Sequence, residues 1–471
     1  MDITPPARDD LVERLDALAR KHGVPGAAAG VLVGDEMTVC ATGVTRDDAE
    51  GVPITDDTLF LVGSITKVWT ATLVMQLVDE GRVDLDDRVN SHLDPTLRLA
   101  DQGVADAVTI RQLLTHTGGF YGDREDPPER GDDALQRAIA SYADLPQLHR
   151  PGQLFSYCNS GYNVLGRLVE CLTGSTWDDA LRDRVLSPLG LQRTFTLPEQ
   201  AMVHPVAVGH DLDLAEKTQT PVTQWCDSRA SGPCGGTLAM RAADLLAFAK
   251  MHLRDGQGPD GARLLSSQSA RLMREPQVTM VDPVMGQAWG LGWEIGRVDE
   301  PAVVGHGGNT NGQMAQLFLV PERGVAICVL TNGDATGELR ETLCDELLSE
   351  LVGVTVSQHP APAPAGTRVD LTPFVGAFGR DDVRLTFRAA GDVLEADVGT
   401  SGRVAEQLDS FTTAVTYASD SRFLLVIPGM EDVPQPITFV REGGGDGPAT
   451  HLAMSGRVLP RLPSGTEGEP R

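Results

Sequence analysis

A short proline- and alanine-rich segment, residues 357–366, most constrains how this chain of 471 residues can fold. Proline fixes the backbone torsion φ and has no N–H group, so such a segment is extended and poorly able to fold. A chain of this length is also too long for a single hydrophobic core. We therefore predict a first domain over residues 1–356, a linker over 357–367, a second domain over 368–462 and a disordered tail over 463–471.

The sequence before the linker mixes the periodicities of helices and strands. Amphipathic patterns predict helices over residues 9–22, 159–172, 242–252 and 337–352. Strands are predicted in a hairpin over 27–44, over 290–295, and in a pair over 315–320 and 325–331. We also predict a mainly helical subdomain over about residues 82–235.

The sequence after the linker contains only short β-like runs. These runs cover residues 374–378, 383–389, 393–398, 411–417, 423–427, 437–440 and 451–455. Closely spaced short strands are typical of a small antiparallel barrel or sandwich. We predict that the second domain has one of these two architectures.

The charge and hydropathy of the chain exclude several classes of partner. The formal net charge is −27, and nucleic acids or anionic membranes require clusters of Lys and Arg that this sequence lacks. Apolar content of 41% without any long apolar run predicts a soluble protein without a membrane-spanning helix. Because residues 1–10 resemble no secretory signal, we expect a cytoplasmic protein if the sequence is complete.

The cysteines and histidines give no sign of a metal site or another cofactor. The seven cysteines are scattered and form no C-x-x-C pair, which favours free thiols in a reducing compartment. The ten histidines are dispersed without metal-ligand spacing. We therefore expect no metal and no cofactor.

The strongest chemical signal lies at Ser64 and Lys67, where an apolar run meets a helical pattern. A serine and a lysine three residues apart lie on one helical face, so the amine can reach the hydroxyl. Serine needs such a base to become a nucleophile, and lysine can serve when burial lowers its pKa. The alternative is an ordinary N-cap serine with an exposed lysine. The chain has only four lysines among 39 basic residues, so a lysine here stands out.

A second candidate motif, Tyr157 and Asn159, lies on a loop just before the helix predicted over 159–172. A tyrosinate, or a phenol bonded to Lys67, can pass the proton of Ser64 to a leaving group. Asn159 can hold Lys67 or the carbonyl side of a substrate. The alternative is an aromatic residue that packs under the helix beside an N-cap asparagine.

A third candidate motif is His306-Gly307-Gly308-Asn309, which precedes the strand pair. Its glycines would let a substrate backbone approach a strand edge closely. Backbone N–H groups of Ser64 and near Asn309 could then form an oxyanion hole. The alternative for His306 is a turn histidine bonded to the backbone.

The order of the three motifs resembles that of the serine β-lactamase and penicillin-binding-protein family, closest to its class C-like, esterase and D-aminopeptidase branch. The resemblance covers about residues 10–352 and includes the stretches 109–119, 150–152 and 290–293. It implies an α+β catalytic domain, in which helices flank an antiparallel sheet beside a helical subdomain. With the second domain, we expect this fold to be followed by a small lipocalin-like antiparallel β-barrel.

The resemblance also implies roles for individual residues. Ser64 would be the acylated nucleophile, Lys67 its base and Tyr157 the proton relay, with Asn159 beside it. Gly307, Gly308 and Asn309 would line the substrate and oxyanion site. His306 stands where many members have the lysine of a K-T-G motif, and a neutral histidine would not bind a substrate carboxylate as that lysine does.

These implications leave several functions open. The chain is expected to acylate Ser64 from an ester, amide or thioester and to pass the acyl group to water or an amine. Such an enzyme could release or cyclise peptides, like penicillin-binding-protein-type thioesterases, or transfer acyl groups in natural-product pathways. The alternatives are a D-aminopeptidase or carboxylesterase, a β-lactamase, and, from another class, a catalytically silent ligand-binding protein.

The role of the second domain and the oligomeric state also stay open. The β domain could cover the site as a lid, or serve only in dimerisation or stability. Arg457 is a candidate contact to a substrate carboxylate, and a surface arginine is the alternative.

Overall fold

The computed structural model describes residues 3–124, 130–213, 218–282, 285–333, 337–358, 360–380, 382–401, 405, 408–430, 433–441 and 447–463. The predicted disordered tail lies outside these residues except for Pro463. Within the described ranges, every helix is too short or too polar to cross a membrane.

Eleven α-helices of the described residues precede the linker. They are α1 Arg8–Lys21, α2 Thr66–Asp79, α3 Gln102–Ala107, α4 Ile110–Leu114, α5 Ala134–Ala140, α6 Asn159–Thr173, α7 Trp177–Leu181, α8 Pro198–Ala201, α9 Ala242–Leu253, α10 Ser267–Arg274 and α11 Gly337–Val352.

The strands of the catalytic region are β1 Gly26–Val33, β2 Glu36–Gly43, β3 Phe60–Leu61, β4 Thr194–Phe195, β5 His210–Asp213, β6 Thr218–Pro221, β7 Ala239–Met240, β8 Val278–Thr279, β9 Ala288–Trp289, β10 Glu294–Arg297, β11 Val303–Thr310, β12 Gln313–Val320 and β13 Val325–Thr331. Those after the linker are β14 Gly376–Arg380, β15 Val383–Ala390, β16 Val393–Thr400, β17 Phe411–Ser419, β18 Arg422–Leu425, β19 Gln435–Val440, β20 His451–Met454 and β21 Arg457–Pro460.

An antiparallel sheet in the order β2-β1-β13-β12-β11-β10-β9-β8 forms the centre of the catalytic region. Side chains alternate between the two faces of a strand, and in β1 both faces are apolar. Ala27, Ala29 and Val31 pack with α1 and α11, whereas Ala28 and Leu32 pack with the core that contains α2 and α9. Helices therefore cover both faces, as the α+β prediction requires.

The helices of the predicted subdomain hold the loops around the site. Helix α4 begins with a capping box, in which Thr109 accepts from the Gln112 backbone and Gln112 accepts from the Thr109 backbone. Helix α6 covers the helix predicted over 159–172 and ends at Gly174 in the left-handed conformation. These local signals fix where the intervening loops start and end.

The part after the linker is an eight-stranded antiparallel barrel with strands in sequential order from β14 to β21. It closes where Phe378 bridges Arg461 and the Leu462 N–H donates to the Ala377 oxygen at 2.8 Å. Its core contains a cluster of phenylalanine rings in mutual contact, namely Phe374, Phe378, Phe387, Phe423 and Phe439. Of the two predicted architectures, the barrel is the one that forms.

Three strand assignments differ from the sequence prediction. The strand predicted over 290–295 is split into β9 and β10, because the chain reverses where the Gly290 N–H donates to the Trp293 oxygen at 2.7 Å. The motif at residues 306–309 lies inside strand β11 rather than on a turn before the strand pair. Strand β21, which completes the barrel, was not predicted.

Candidate active site

Ser64 lies on a single 3-10 turn, Gly63–Ile65, directly before α2. This turn contacts the segment of β11 that follows His306. A Cβ atom on Gly308 would lie 2.0 Å from the Val62 oxygen and 3.3 Å from the Ser64 nitrogen, so only glycine permits this approach. The two motifs are thus brought together by backbone contact.

Lys67 is completely buried on the first turn of α2, which excludes the alternative of an exposed lysine. Its Nζ donates to Ser64 Oγ at 3.0 Å and to the Cys234 oxygen at 2.5 Å. Neither contact is to a carboxylate, so burial dominates and lowers the pKa of Lys67 to about 8. A lysine with this pKa is still mostly charged at pH 7, but its neutral form is far more populated than that of an ordinary lysine and can accept the Ser64 proton.

Two cations lie close to the ring of Tyr157. Lys67 Nζ is 4.7 Å from its centroid and the Arg457 guanidinium carbon is 5.0 Å from it. The ring also stacks on His116 at 4.2 Å and meets Trp289 edge-on. Its side chain packs under neighbouring aromatic residues, but it does so beside the serine and lysine.

Burial raises the pKa of Tyr157 well above its usual value, and the nearby Ser64 hydroxyl and Arg457 charge oppose that rise. The phenol oxygen makes no hydrogen bond of ordinary geometry among the described residues. Tyr157 is therefore a neutral phenol at neutral pH. Of the two forms considered for the proton relay, burial favours the phenol over the tyrosinate, but no hydrogen bond joins this phenol to Lys67 among the described residues.

Asn159 does not contact Lys67. It is the first residue of α6, and its Nδ2 donates to Asp123 Oδ1 at 3.1 Å. The N-cap of α6 is Cys158, whose thiol accepts from the Gly161 N–H. The interpretations of Asn159 as a ligand of Lys67 and as the helix cap therefore differ from the observed contacts, whereas its role on the carbonyl side of a substrate stays a prediction.

The motif that begins at His306 follows the edge of β11. Strand β10 pairs with β11 only as far as Gly305. The next residues of β11 pair with β12 on one edge, and on the edge that β10 does not cover, Gly308 adjoins the Ser64 turn. A Cβ on Gly63 would lie 2.6 Å from the Asn309 nitrogen. This placement keeps the Ser64 and Asn309 N–H groups as the predicted oxyanion donors, with Gly307 and Gly308 between His306 and Asn309.

His306 is buried, and its Nδ1 lies 2.5 Å from the oxygen of the adjacent Gly307. Burial and the nearby Lys67 charge lower the pKa of His306 to about 3. His306 is therefore neutral at physiological pH and cannot replace the cation of a K-T-G lysine.

Asp123 was not identified from the sequence, although it organises one side of the site. Its carboxylate accepts Arg457 Nε at 2.9 Å and Nη2 at 3.0 Å, and Arg380 Nη1 at 2.8 Å. The two arginines hold the pKa of Asp123 well below its usual range. Arg457 keeps 27% of its side chain exposed, so it is an anchored arginine at the site rather than a surface one.

A cavity of about 850 Å³ adjoins these residues. The catalytic region contributes the β11–β12 turn and the loop around residues 222–227, and the barrel contributes side chains from β14, β15, β20 and β21. Asn309 and Arg457 both line the cavity. A ligand in it would reach the predicted oxyanion site and the barrel at once.

Comparisons with known proteins agree with the geometry. A family model described as Beta-lactamase matches residues 9–348. "Penicillin-binding protein 4" of Amycolatopsis lactamdurans is 44% identical over 372 residues, which are 78% of this chain and 97% of that protein.

Two solved proteins are also similar. The crystal structure of SurE has a TM-score of 0.79 at 29% identity and covers 97% of this chain and 99% of its own, and SurE with D-Leu has a TM-score of 0.76 at 28% identity with the same coverage. A D-stereospecific amidohydrolase from Streptomyces sp. has a TM-score of 0.58 at 25% identity, over 74% of this chain and 100% of its own. The SurE match extends over the barrel, whereas the family model ends before it.

Proposed function

The chain belongs to the beta-lactamase family of serine hydrolases, and on that premise we propose that it acts by acylating Ser64 from a peptide-like ester, amide or thioester. The family and the α+β fold with its C-terminal barrel agree with the sequence prediction. The observation that carries the proposal is the buried Lys67 Nζ, 3.0 Å from Ser64 Oγ and without a carboxylate partner.

In the proposed acylation, Ser64 Oγ forms a bond to the substrate carbonyl carbon while its proton passes to neutral Lys67. The carbonyl oxygen becomes an oxyanion held by the N–H groups of Ser64 and Asn309. Tyr157 gives its proton to the leaving group and is reprotonated from Lys67, and the bond to the leaving group breaks. The acyl-serine is then released when water or an amine attacks its carbonyl.

The substrate class follows from the charges around the cavity. His306 is neutral, so the carboxylate-binding cation of the K-T-G motif is absent at that position. Arg457 and Arg380 both bind Asp123 at the cavity wall, and Arg457 keeps 27% of its side chain exposed there. We assign the carboxylate of a peptide-like substrate to Arg457, where these cations would hold it.

The relatives support a D-configured residue in that substrate. SurE has been solved with D-Leu, and the Streptomyces protein is a D-stereospecific amidohydrolase. Together with the cavity of about 850 Å³, the ligand of SurE and the stereospecificity of the Streptomyces protein favour a peptidyl acyl donor. The reaction would be transacylation, release or cyclisation in natural-product biosynthesis. Hydrolysis by a D-aminopeptidase, carboxylesterase or β-lactamase is the alternative, and the choice depends on whether water or an amine attacks.

The first test is intact-protein mass spectrometry after reaction with a fluorophosphonate. We expect one adduct on the wild type, none on Ser64→Ala and strongly slowed labelling of Lys67→Ala. Lys250→Ala is the matched control, because Lys250 pairs with Asp35 far along the chain from the site. An unlabelled but folded wild type, or equal labelling of Ser64→Ala, would contradict the assignment of Ser64.

The second test separates the acceptors and the stereochemistry. The p-nitrophenyl esters of N-acetyl-D-leucine and N-acetyl-L-leucine are compared with and without an added amine, D-leucine methyl ester. Faster turnover of the D ester and an amide product that grows with amine concentration are expected for an acyltransferase. Hydrolysis alone at every amine concentration would favour the hydrolase alternative.

A further inference from the structure

The turn between β20 and β21 of the barrel rests directly on the loop that carries Tyr157. The Tyr157 N–H donates to the Gly456 oxygen at 2.9 Å, and the Val458 N–H donates to Ser156 Oγ at 3.3 Å. Gly456 has φ +73°, and a Cβ there would lie 2.2 Å from Met285 Sδ. The barrel thus binds the backbone of Tyr157, a proposed catalytic residue, through Gly456, whose positive φ favours glycine.

The side chain after this turn acts on the ring of the same tyrosine. The guanidinium of Arg457 lies over the Tyr157 ring at 5.0 Å, within the range of cation–π attraction. Two hydrogen bonds to Asp123 fix the guanidinium plane, and Asp123 is itself held by Asn159 and Arg380. The cation therefore stays over the ring without a bound substrate.

We propose that the turn at residues 455–457 is a positioning element for proton transfer by Tyr157, and that Arg457 favours this transfer through its charge above the ring. The inference rests on the proposed function, because it needs Tyr157 to protonate the leaving group. As the phenol gives up its proton, negative charge develops on its oxygen, and a fixed cation nearby stabilises that charge. Proton transfer to the leaving group then becomes easier, and the proton returns from Lys67.

Several other groups face Tyr157 and contribute to its environment. They are Lys67 on α2, His116 after α4, His306 on β11, Glu294 on β10, and the thiols of Cys158 and Cys234. Both histidines have lowered pKa values because they are buried near Lys67, so they are neutral. Arg457 and Lys67 are therefore the cations close to the ring among the described residues. Lys67 is neutral until it accepts the Ser64 proton, whereas Arg457 is charged throughout.

This role differs from substrate binding in a way that experiment can detect. If Arg457 only bound a substrate carboxylate, esters without a carboxylate would react equally well without it. If Arg457 acts through Tyr157, its loss slows such esters too, and slows most those whose leaving group needs a proton. Phenol needs that proton more than p-nitrophenol does.

The experiment compares p-nitrophenyl acetate with phenyl acetate on the full-length wild type, Arg457→Met and Arg457→Lys. For Arg457→Met we expect the single-turnover rate constant of Ser64 acylation by phenyl acetate to fall about tenfold more than that by p-nitrophenyl acetate. Arg457→Lys keeps a cation and should restore part of the difference. Arg388→Met is the control, because Arg388 is exposed and pairs with Asp397 on the same barrel.

A second variant tests the backbone contact without changing Arg457. Gly456→Ala should displace the turn and lower the rate constant of acylation by phenyl acetate, while thermal melting checks that the protein remains folded. Wild-type rates in Arg457→Met on both esters would overturn the inference. So would an equal loss on both esters that Arg457→Lys does not restore, since this would indicate a structural role alone. Absence of any acylation in the wild type would instead overturn the proposed function.

Discussion

Two parts of the site near Tyr157, a lysine side around Lys67 and an arginine side around Arg457, carry cations with opposite chemical behaviour. On one side Lys67 is buried against Ser64 Oγ and a backbone oxygen, and its pKa falls to about 8. On the other side Arg457 forms two hydrogen bonds to the carboxylate of Asp123 and keeps its charge. Burial without a carboxylate partner lets the amine of Lys67 act as a base, whereas the guanidinium of Arg457 stays a fixed charge that Asp123 holds in place.

The largest expected effect comes from making the lysine side resemble the arginine side. Lys67→Arg preserves a positive charge but replaces a group that can lose its proton with one that cannot. We expect the rate of Ser64 acylation by a fluorophosphonate to fall by about 10³-fold or more, in line with the loss of a general base. Lys250→Arg is the matched control. A rate within about tenfold of the wild type would show that Lys67 is not the base.

The next effect removes the carboxylate from the arginine side. Asp123→Asn leaves Arg457 without its carboxylate partner and Arg380 with Asp382 alone, and breaking a buried ion pair typically costs about 3–5 kcal/mol. Because Arg457 keeps 27% of its side chain exposed, we expect a loss of roughly 2–4 kcal/mol in the free energy of unfolding. Urea unfolding measures it, and Asp397→Asn on the exposed pair with Arg388 should cost only about 0–1 kcal/mol. Equal costs for both variants would mean that Asp123 does not anchor the site.

The smallest effect has the opposite sign. Lys67→Met removes a buried charge that has no acidic partner in direct contact, and one pKa unit corresponds to about 1.4 kcal/mol. The pKa of Lys67 falls from 10.5 to about 8, so we expect Lys67→Met to stabilise the protein by roughly 1–3 kcal/mol at pH 7.

The pH dependence checks this assignment. Below about pH 8 the folded wild type keeps Lys67 charged at full cost. Between about pH 8 and 10.5 the folded protein binds fewer protons than the unfolded chain, so wild-type stability rises with pH relative to Lys67→Met. The advantage of Lys67→Met, measured by urea unfolding across this window, should therefore shrink. A constant advantage would show that the two proteins differ for another reason.

The sequence predicted the lysine side better than the arginine side because the former depends on local spacing. Ser64 and Lys67 are three residues apart, and a single helical turn brings them together. Asp123 and Arg457 are 334 residues apart, and no local pattern connects a loop carboxylate with a barrel arginine. Their contact depends on how the barrel packs against the catalytic region, and the hydrophobic periodicity of the sequence does not predict that packing.

The strands show the same division. The apolar runs of β12 and β13 were recognised at nearly their observed limits, because continuous burial produces a clear pattern. Strand β11 was missed, since Gly305, Gly307 and Gly308 give it low strand propensity and suggest a turn. Gly308 allows the strand to approach the Ser64 turn closely. The residues that this approach requires are therefore the ones that made the strand hard to predict from the sequence.

The hold of the barrel on Tyr157 has a consequence for protein synthesis. Chains emerge from the ribosome at about 5–20 residues per second, and their domains generally fold as units from the N-terminal side. Gly456, the backbone partner of Tyr157, follows the end of α11 at Val352 by 104 residues, which corresponds to a delay of roughly 5–21 s after the catalytic region has been made. During that time Ser64 and Lys67 can already be folded together while Tyr157 still lacks its backbone partner. The nascent chain would thus carry an unfinished catalytic centre, and reactivity would mature only after the barrel has been made.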